Sequence, residues 1–127
     1  MIYRVGMLCK HFKGSTLLEK NIYRIIQLNV SGINVDTNNV TYTGDNKLEE
    51  ATDLVLYQNI FQENKFFVRE YSDLSSELSD DKQILFKQKI KVQPLNEEEI
   101  NIVTDEKFAL EKANIEELKH DKKTLKN

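Results

Sequence analysis

The sequence predicts a mainly β domain followed by a C-terminal α-helix, and three observations lead there. Short apolar runs between residues 22 and 70 keep the period-two spacing of strands and are separated by polar turn clusters. The single proline, Pro94, marks a change of character. Beyond it, Asn96 precedes Glu97-Glu98-Glu99, an N-cap followed by acids at the positive end of a helix dipole. A chain of 127 residues, 39% of them hydrophobic, suffices for one compact core and not for two. The expected division is therefore a β unit over residues 1–94 and a helical tail over 95–127.

Within the β unit, Ile26, Leu28 and Val30 alternate with Gln27 and Asn29, as a half-buried strand requires. Ser31-Gly32 breaks the run, Ile33 and Val35 resume it, and Asp36 to Asn39 forms a turn cluster before Val40-Thr41-Tyr42. These segments read as a hairpin inserted over residues 31–50, closed by the break at Gly44-Asp45-Asn46. Leu54-Val55-Leu56-Tyr57 suits a central strand, and Gln62-Glu63-Asn64 is a tight connection to Phe66-Phe67-Val68-Arg69, completing a second hairpin. Alternation then directs Ile26, Leu28, Leu54, Leu56, Phe66 and Val68 into one core. Ser72 to Asp81 is a Ser/Asp/Glu-rich connection. Ile84, Phe86, Ile90 and Val92 form a long amphipathic strand whose other face carries lysines. In the tail, Phe108, Ile115 and Leu118 make a modest apolar stripe, and His120 to Asn127 is polar and frayed.

Composition removes several functions. No run of 18 apolar residues exists, and residues 1–14 lack the apolar stretch of a secretory signal, so neither a membrane span nor export is expected. The lone cysteine, Cys9, precludes an intramolecular disulfide and fits a reducing cytoplasm. His11 and His120 are the only histidines, too few for a Cys/His zinc site, and neither a metal nor a cofactor is expected. Gly6, Gly14, Gly32 and Gly44 are scattered and match no phosphate-binding loop. Asp36 to Glu49 does not supply the ligand set of a calcium loop. Cys9 and His11 would share a strand face, but a buried thiol beside a hydrogen-bonding histidine accounts for both. The adjacent acids Glu49-Glu50, Asp80-Asp81 and Glu97-Glu98-Glu99 lack apolar neighbours that would raise a pKa. No catalytic residue is assigned, and the protein is expected not to be an enzyme.

The net charge of −3 conceals segregation: +4 over residues 1–35, −8 over 36–81, +4 over 82–93 and −3 over 94–127. Lys87, Lys89 and Lys91 on one strand face would lie about 6.6–6.8 Å apart, close to the phosphate repeat of a nucleic acid. Three such contacts give a salt slope of only about −2 to −3. No aromatic residue interleaves with them for base stacking, and lysines along a strand also guard against edge-to-edge association. Nucleic-acid binding is therefore expected to be unspecific and no tighter than about micromolar.

Three stretches in order carry a family resemblance: His11-Phe12-Lys13-Gly14, Leu54-Val55-Leu56-Tyr57-Gln58 and Phe66-Phe67-Val68-Arg69. Together they resemble the small bacterial and phage family called domain of unknown function 1653, over roughly residues 6–75. The resemblance implies an SH3-like β-barrel of about five strands, elaborated here by the inserted hairpin. Phe67 stands at the family's tryptophan and Glu70 at its proline, Cys9 or Leu8 stands at its opening tyrosine, and its His-Ser-Glu-Thr stretch is missing. The family brings no activity to carry over. An excess of lysine over arginine, 15 to three, is the look of an AT-rich coding sequence, as in low-GC bacteria or their phages.

What remains is binding. His11, Lys13, Tyr57 and Arg69, at family-matching positions, form the candidate cluster for a small anionic ligand such as a nucleotide. Arg69 would offer a planar fork of donors, Lys13 charge and His11 a switchable donor. Alternatively, Arg69 pairs with Glu70 or Asp73, and Tyr57 is a core residue. The other function classes are a nucleic-acid accessory protein using the lysine row, and a protein-interaction module using the hairpin and the tail helix.

Overall fold

A computed structural model of the protein describes residues 2–45 and 47–125, with side chains through Lys119. Asn46 of the expected break and residues 126 and 127 of the expected frayed end lie outside the described residues. The chain divides into two compact units, Met1–Leu95 and Asn96–Asn127.

The first unit is built on six strands: β1 (Leu8–His11), β2 (Ile22–Val30), β3 (Val40–Tyr42), β4 (Leu54–Asn59), β5 (Phe66–Glu70) and β6 (Val92–Pro94). Their order in the sheet is β3-β5-β4-β2-β1-β6, with β3 parallel to β5 and every other pairing antiparallel. The expected β4–β5 hairpin is present, with Leu56 opposite Val68 and Val55 opposite Arg69. The barrel closure implied by the resemblance is not: this is an open mixed sheet with β3 and β6 at its edges. The inserted hairpin over residues 31–50 is also replaced. Ile33 sits in a 3-10 turn, Gly32–Asn34, and is 81% exposed, so it offers no apolar partner strand to β3. β3 pairs across the sheet with β5 instead, Thr41 opposite Phe67.

The long lysine-faced strand is overturned as well. Asp80–Phe86 is a helix, α2, whose start is set by Ser79, with the Lys82 N–H donating to its Oγ. Lys87, in the left-handed conformation (φ 52°), ends it, and after an isolated bridge of Ile90 to Glu77 the next strand begins at Val92. The even-numbered apolar pattern was misleading because Ile84 is 78% and Leu85 69% exposed, so neither marks a buried face. The connection 72–81 likewise holds structure: a short helix α1, Tyr71–Leu74, then the Ser79 cap, with the Leu78 N–H donating to the Lys89 carbonyl at 2.9 Å.

Alternation along β4 and β5 separates two apolar clusters. One holds Tyr3, Cys9, Tyr23, Ile25, Val55, Tyr57, Leu74 and Val92. The other holds Val30, Ala51, Leu54 and Val68, with Leu56 packed at its edge. The six residues expected to share one core therefore do not. Leu54 and Val68 belong to the second cluster, whereas Leu28 only borders the first. The cause is two register shifts in β2, between Ile25 and Gln27 and between Gln27 and Val30, where Asn29 takes a positive φ of 55°. Each irregularity turns the strand's side chains and breaks a simple period of two.

The second unit is one helix, α3 (Glu97–Leu125). Its expected start is realised as a reciprocal box. The Glu99 N–H donates to Asn96 Oδ1 at 2.8 Å, and the Asn96 N–H donates to Glu99 Oε1 at 3.1 Å. No helix among the described residues is long and apolar enough to cross a membrane.

Candidate functional site

The His11-Phe12-Lys13-Gly14 stretch leaves β1 as a tightly held turn. Phe12 is buried against Phe86 of α2, ring centres 5.3 Å apart. Lys20, itself buried, donates from Nζ to the Phe12 carbonyl at 2.6 Å and to the Phe86 carbonyl at 3.3 Å. A buried ammonium is tolerated only with such acceptors, and the second is at the carbonyl end of a helix. Gly14 adopts φ 121°, with the Glu19 backbone 3.0 Å from where a Cβ would sit, so only glycine closes this turn without strain. Lys13 and Lys82 place their ammonium groups 6.0 and 5.7 Å from the Phe12 ring centre. Lys13 is therefore anchored over an aromatic ring, apart from the cavity described next.

That cavity, about 280 Å³, is lined by Gly44, Asp45, Arg69, Glu70, Asp73 and Lys91. Arg69 arrives from β5, Asp73 from α1 four residues later, and Lys91 from the residue before β6. Asp73 is clamped between two cations: Arg69 reaches it through Nε, and Lys91 Nζ donates to Oδ1 at 2.8 Å. Burial pushes the Asp73 carboxyl up, but the Lys91 hydrogen bond and the Arg69 charge outweigh it and hold the group below its ordinary 3.8. The pairing of Arg69 with Asp73 is thus the alternative named from sequence. It occupies only one edge of the guanidinium. The terminal nitrogens of Arg69 have no protein acceptor among the described residues.

The four residues singled out from sequence fare differently. Only Arg69 lines the cavity. Tyr57 lies in the core, ring centres 4.8 Å from Tyr23 and 5.5 Å from Phe67, and burial raises its hydroxyl well above the tyrosine range. His11 is half-buried and stacks on Phe12 at 4.7 Å, with Nδ1 accepting the Lys13 N–H. Burial, then the charges of Lys13, Arg69, Lys20 and Lys91, push His11 down to about 4. It is therefore a neutral imidazole at pH 7, with four cations around it. The lysine row is dispersed: Lys87 caps α2, Lys89 lies 3.8 Å from Glu77, and Lys91 enters the cavity. Lys91 thus lines the cavity apart from Lys87 and Lys89, with which the sequence grouped it. Asp73 had one legible signal, its spacing of four from Arg69.

Cys9 is fully buried and its thiol is pushed up to about 12 by that burial, which leaves no thiolate at neutral pH. Among the described residues no group of three His, Cys, Asp or Glu side chains could hold a metal ion.

The shifts at His11 and Asp73 give a pH dependence of the same sign. His11 binds its proton at about 4 in the fold and at its ordinary 6.5 when unfolded, so between these values the unfolded chain holds more protons. Stability is full above pH 6.5 and falls as pH drops toward 4. The depressed Asp73 adds a loss at still lower pH, below its ordinary 3.8. Urea midpoints recorded from pH 7 to 4 should decline for the wild type and decline less for His11→Asn. Equal slopes would show that His11 is not responsible.

Comparison with protein-family models, curated proteins and solved structures finds no match to this chain.

Proposed function

We propose that the protein is a binding module for a small anionic ligand, held at the cavity between Arg69 and Lys91. The observation that carries this reading is the unused edge of the Arg69 guanidinium, which lies beside a second cation in an accessible cavity. Such an edge matches a carboxylate or phosphate with two parallel donors. Burial is the main reason His11 is neutral, and the four cations that add to it, Lys13, Arg69, Lys20 and Lys91, support the same reading. At about 280 Å³ the cavity is at the low end for ligand sites, which run from about 300 to 1,000 Å³. It suits a small molecule, or the anionic end of a larger one such as a nucleotide.

Charge narrows the class. The lining carries three acids, Asp45, Glu70 and Asp73, against two cations. A ligand with one ionised group and a hydrogen-bond donor toward Asp45 is favoured over a polyphosphate, which the acids repel. The same proposal includes kinship with the domain of unknown function 1653, with an open sheet standing here in place of the barrel. In its support, the three resembling stretches fall, in order, at the end of β1, on β4 and on β5.

Calorimetric titration with inorganic phosphate, a nucleoside monophosphate and its triphosphate tests the reading. We expect saturable binding of the first two and weaker binding of the third. Arg69→Ala should abolish it at a stability cost under about 1 kcal/mol, since a partly exposed ion pair contributes little. Asp73→Asn should strengthen it, because the competing carboxylate is gone. Absence of binding by the wild type would dispose of the proposal.

A further inference from the structure

We propose, on the strength of the anion reading of Arg69 and Lys91, that the ligand of this cavity is a small zwitterion. It is a phosphate monoester or carboxylate that also carries an ammonium group, and Asp45 holds the ammonium. Ligand sites are ordinarily lined mainly by hydrophobic and aromatic side chains. This one has none: Gly44 aside, every lining residue is ionisable, three acids and two bases. An alkyl or aromatic body finds no apolar side chain to pack against here, so the ligand is held by its charges and is short and hydrophilic.

The signs of those charges define the ligand. Asp73 is shared between Arg69 Nε and Lys91 Nζ, so these three residues together leave one positive charge. Glu70 has a partner of its own. Asp45 has neither an ion pair nor a hydrogen bond to its carboxylate among the described residues. The lining therefore presents one uncommitted positive charge and one uncommitted negative charge, the complement of a zwitterion. A lone anion would satisfy Arg69 and be repelled by Asp45, whereas an added ammonium turns that repulsion into attraction. Topology sets the two charges apart. Lys91 directly precedes β6, at one edge of the sheet, and Asp45 follows β3, at the other. The loop carrying Asp45 lies tight on Tyr42. A Cβ on Gly44 would sit 2.2 Å from the Tyr42 hydroxyl oxygen and 2.4 Å from Cζ, and Tyr42 itself packs on the second apolar cluster. An anchored loop of this kind keeps Asp45 at the cavity.

Calorimetric titration of the full chain with ethyl phosphate and with phosphoethanolamine is the test, since the two differ by the ammonium group. At low ionic strength phosphoethanolamine should bind more tightly by about fivefold or better. Asp45→Asn should bring the two within about twofold of each other, weakening phosphoethanolamine and strengthening ethyl phosphate. Asp45 is exposed, so the melting temperature of the variant should match the wild type. Propionate and β-alanine repeat the comparison with a carboxylate and show which anion Arg69 prefers. Equal affinities within both pairs, or an ammonium advantage that survives Asp45→Asn, would overturn the zwitterion and leave the anion site standing. Failure of all four compounds to bind would remove the anion site itself, and the zwitterion with it.

Discussion

Gly32→Ala is expected to destabilise the β unit more than any other change of a single methyl group. A Cβ on Gly32 would lie 1.4 Å from the Leu48 carbonyl oxygen and 2.5 Å from the Leu48 carbonyl carbon. Both are backbone atoms, and the segment that carries them cannot simply withdraw. Leu48–Glu50 is a 3-10 turn closed by the Ala51 N–H donating to the Leu48 carbonyl at 3.1 Å. The Gly32 N–H in turn donates to the Ala51 carbonyl at 2.9 Å, and Ala51 and Leu48 pack into the second apolar cluster. Making room for the methyl group means pulling apart a hydrogen bond and part of a core together. We expect a loss on the order of 3–5 kcal/mol, a large share of the roughly 5–15 kcal/mol that holds a domain of this size. Denaturant unfolding of the variant measures it. A cost under about 1 kcal/mol would mean the two 3-10 turns do not touch as described.

The second large effect separates two leucines on one strand. Leu54 is fully buried, and Leu54→Ala should cost about 2–5 kcal/mol, the usual range for a core leucine. Leu56, two residues on, is only half-buried at the cluster's edge, so Leu56→Ala should cost no more than about half as much. The comparison is sharper than either number: the two leucines share one face of β4, so only a two-residue slip would bring Leu56 to the place of Leu54. Equal losses, or a larger one at Leu56, would contradict the register in which Leu54 pairs with Glu70 and Leu56 with Val68.

How far the fold can be read from sequence depends on whether local chemistry or distant packing decides each element. The β4–β5 hairpin is legible because both runs are apolar and the connection between them is short and polar. The start of α3 is legible because Asn96 and Glu99 cap each other within four residues. Residues 79–94 are not, although Ser79-Asp80-Asp81 is a sound helix start. There the even-numbered apolar residues imitate a strand while Ile84 faces solvent. The partner of β3 is decided by a parallel pairing to a strand 26 residues onward, which no local pattern encodes. The irregularities in β2 likewise hide which side chains enter which cluster.

The candidate site divides in the same way. Arg69 stands out in the sequence as one of three arginines, and its spacing of four to Asp73 is visible. Lys91 reaches Asp73 from 18 residues away, after α2 has turned the chain. The neutral state of His11 depends on burial and on four cations brought together by folding. None of that is written in residue order.

The central claim is that small anions bind at the unused edge of Arg69 beside Lys91. Amide chemical-shift mapping during a titration with inorganic phosphate tests it most directly. The account predicts that the amides of Gly44, Asp45, Glu70, Asp73 and Lys91 shift together and saturate at one ligand per chain, with no such response in Arg69→Ala. Shifts confined to the turn around Phe12, Lys13 and Lys82, or no saturable shift anywhere, would contradict it.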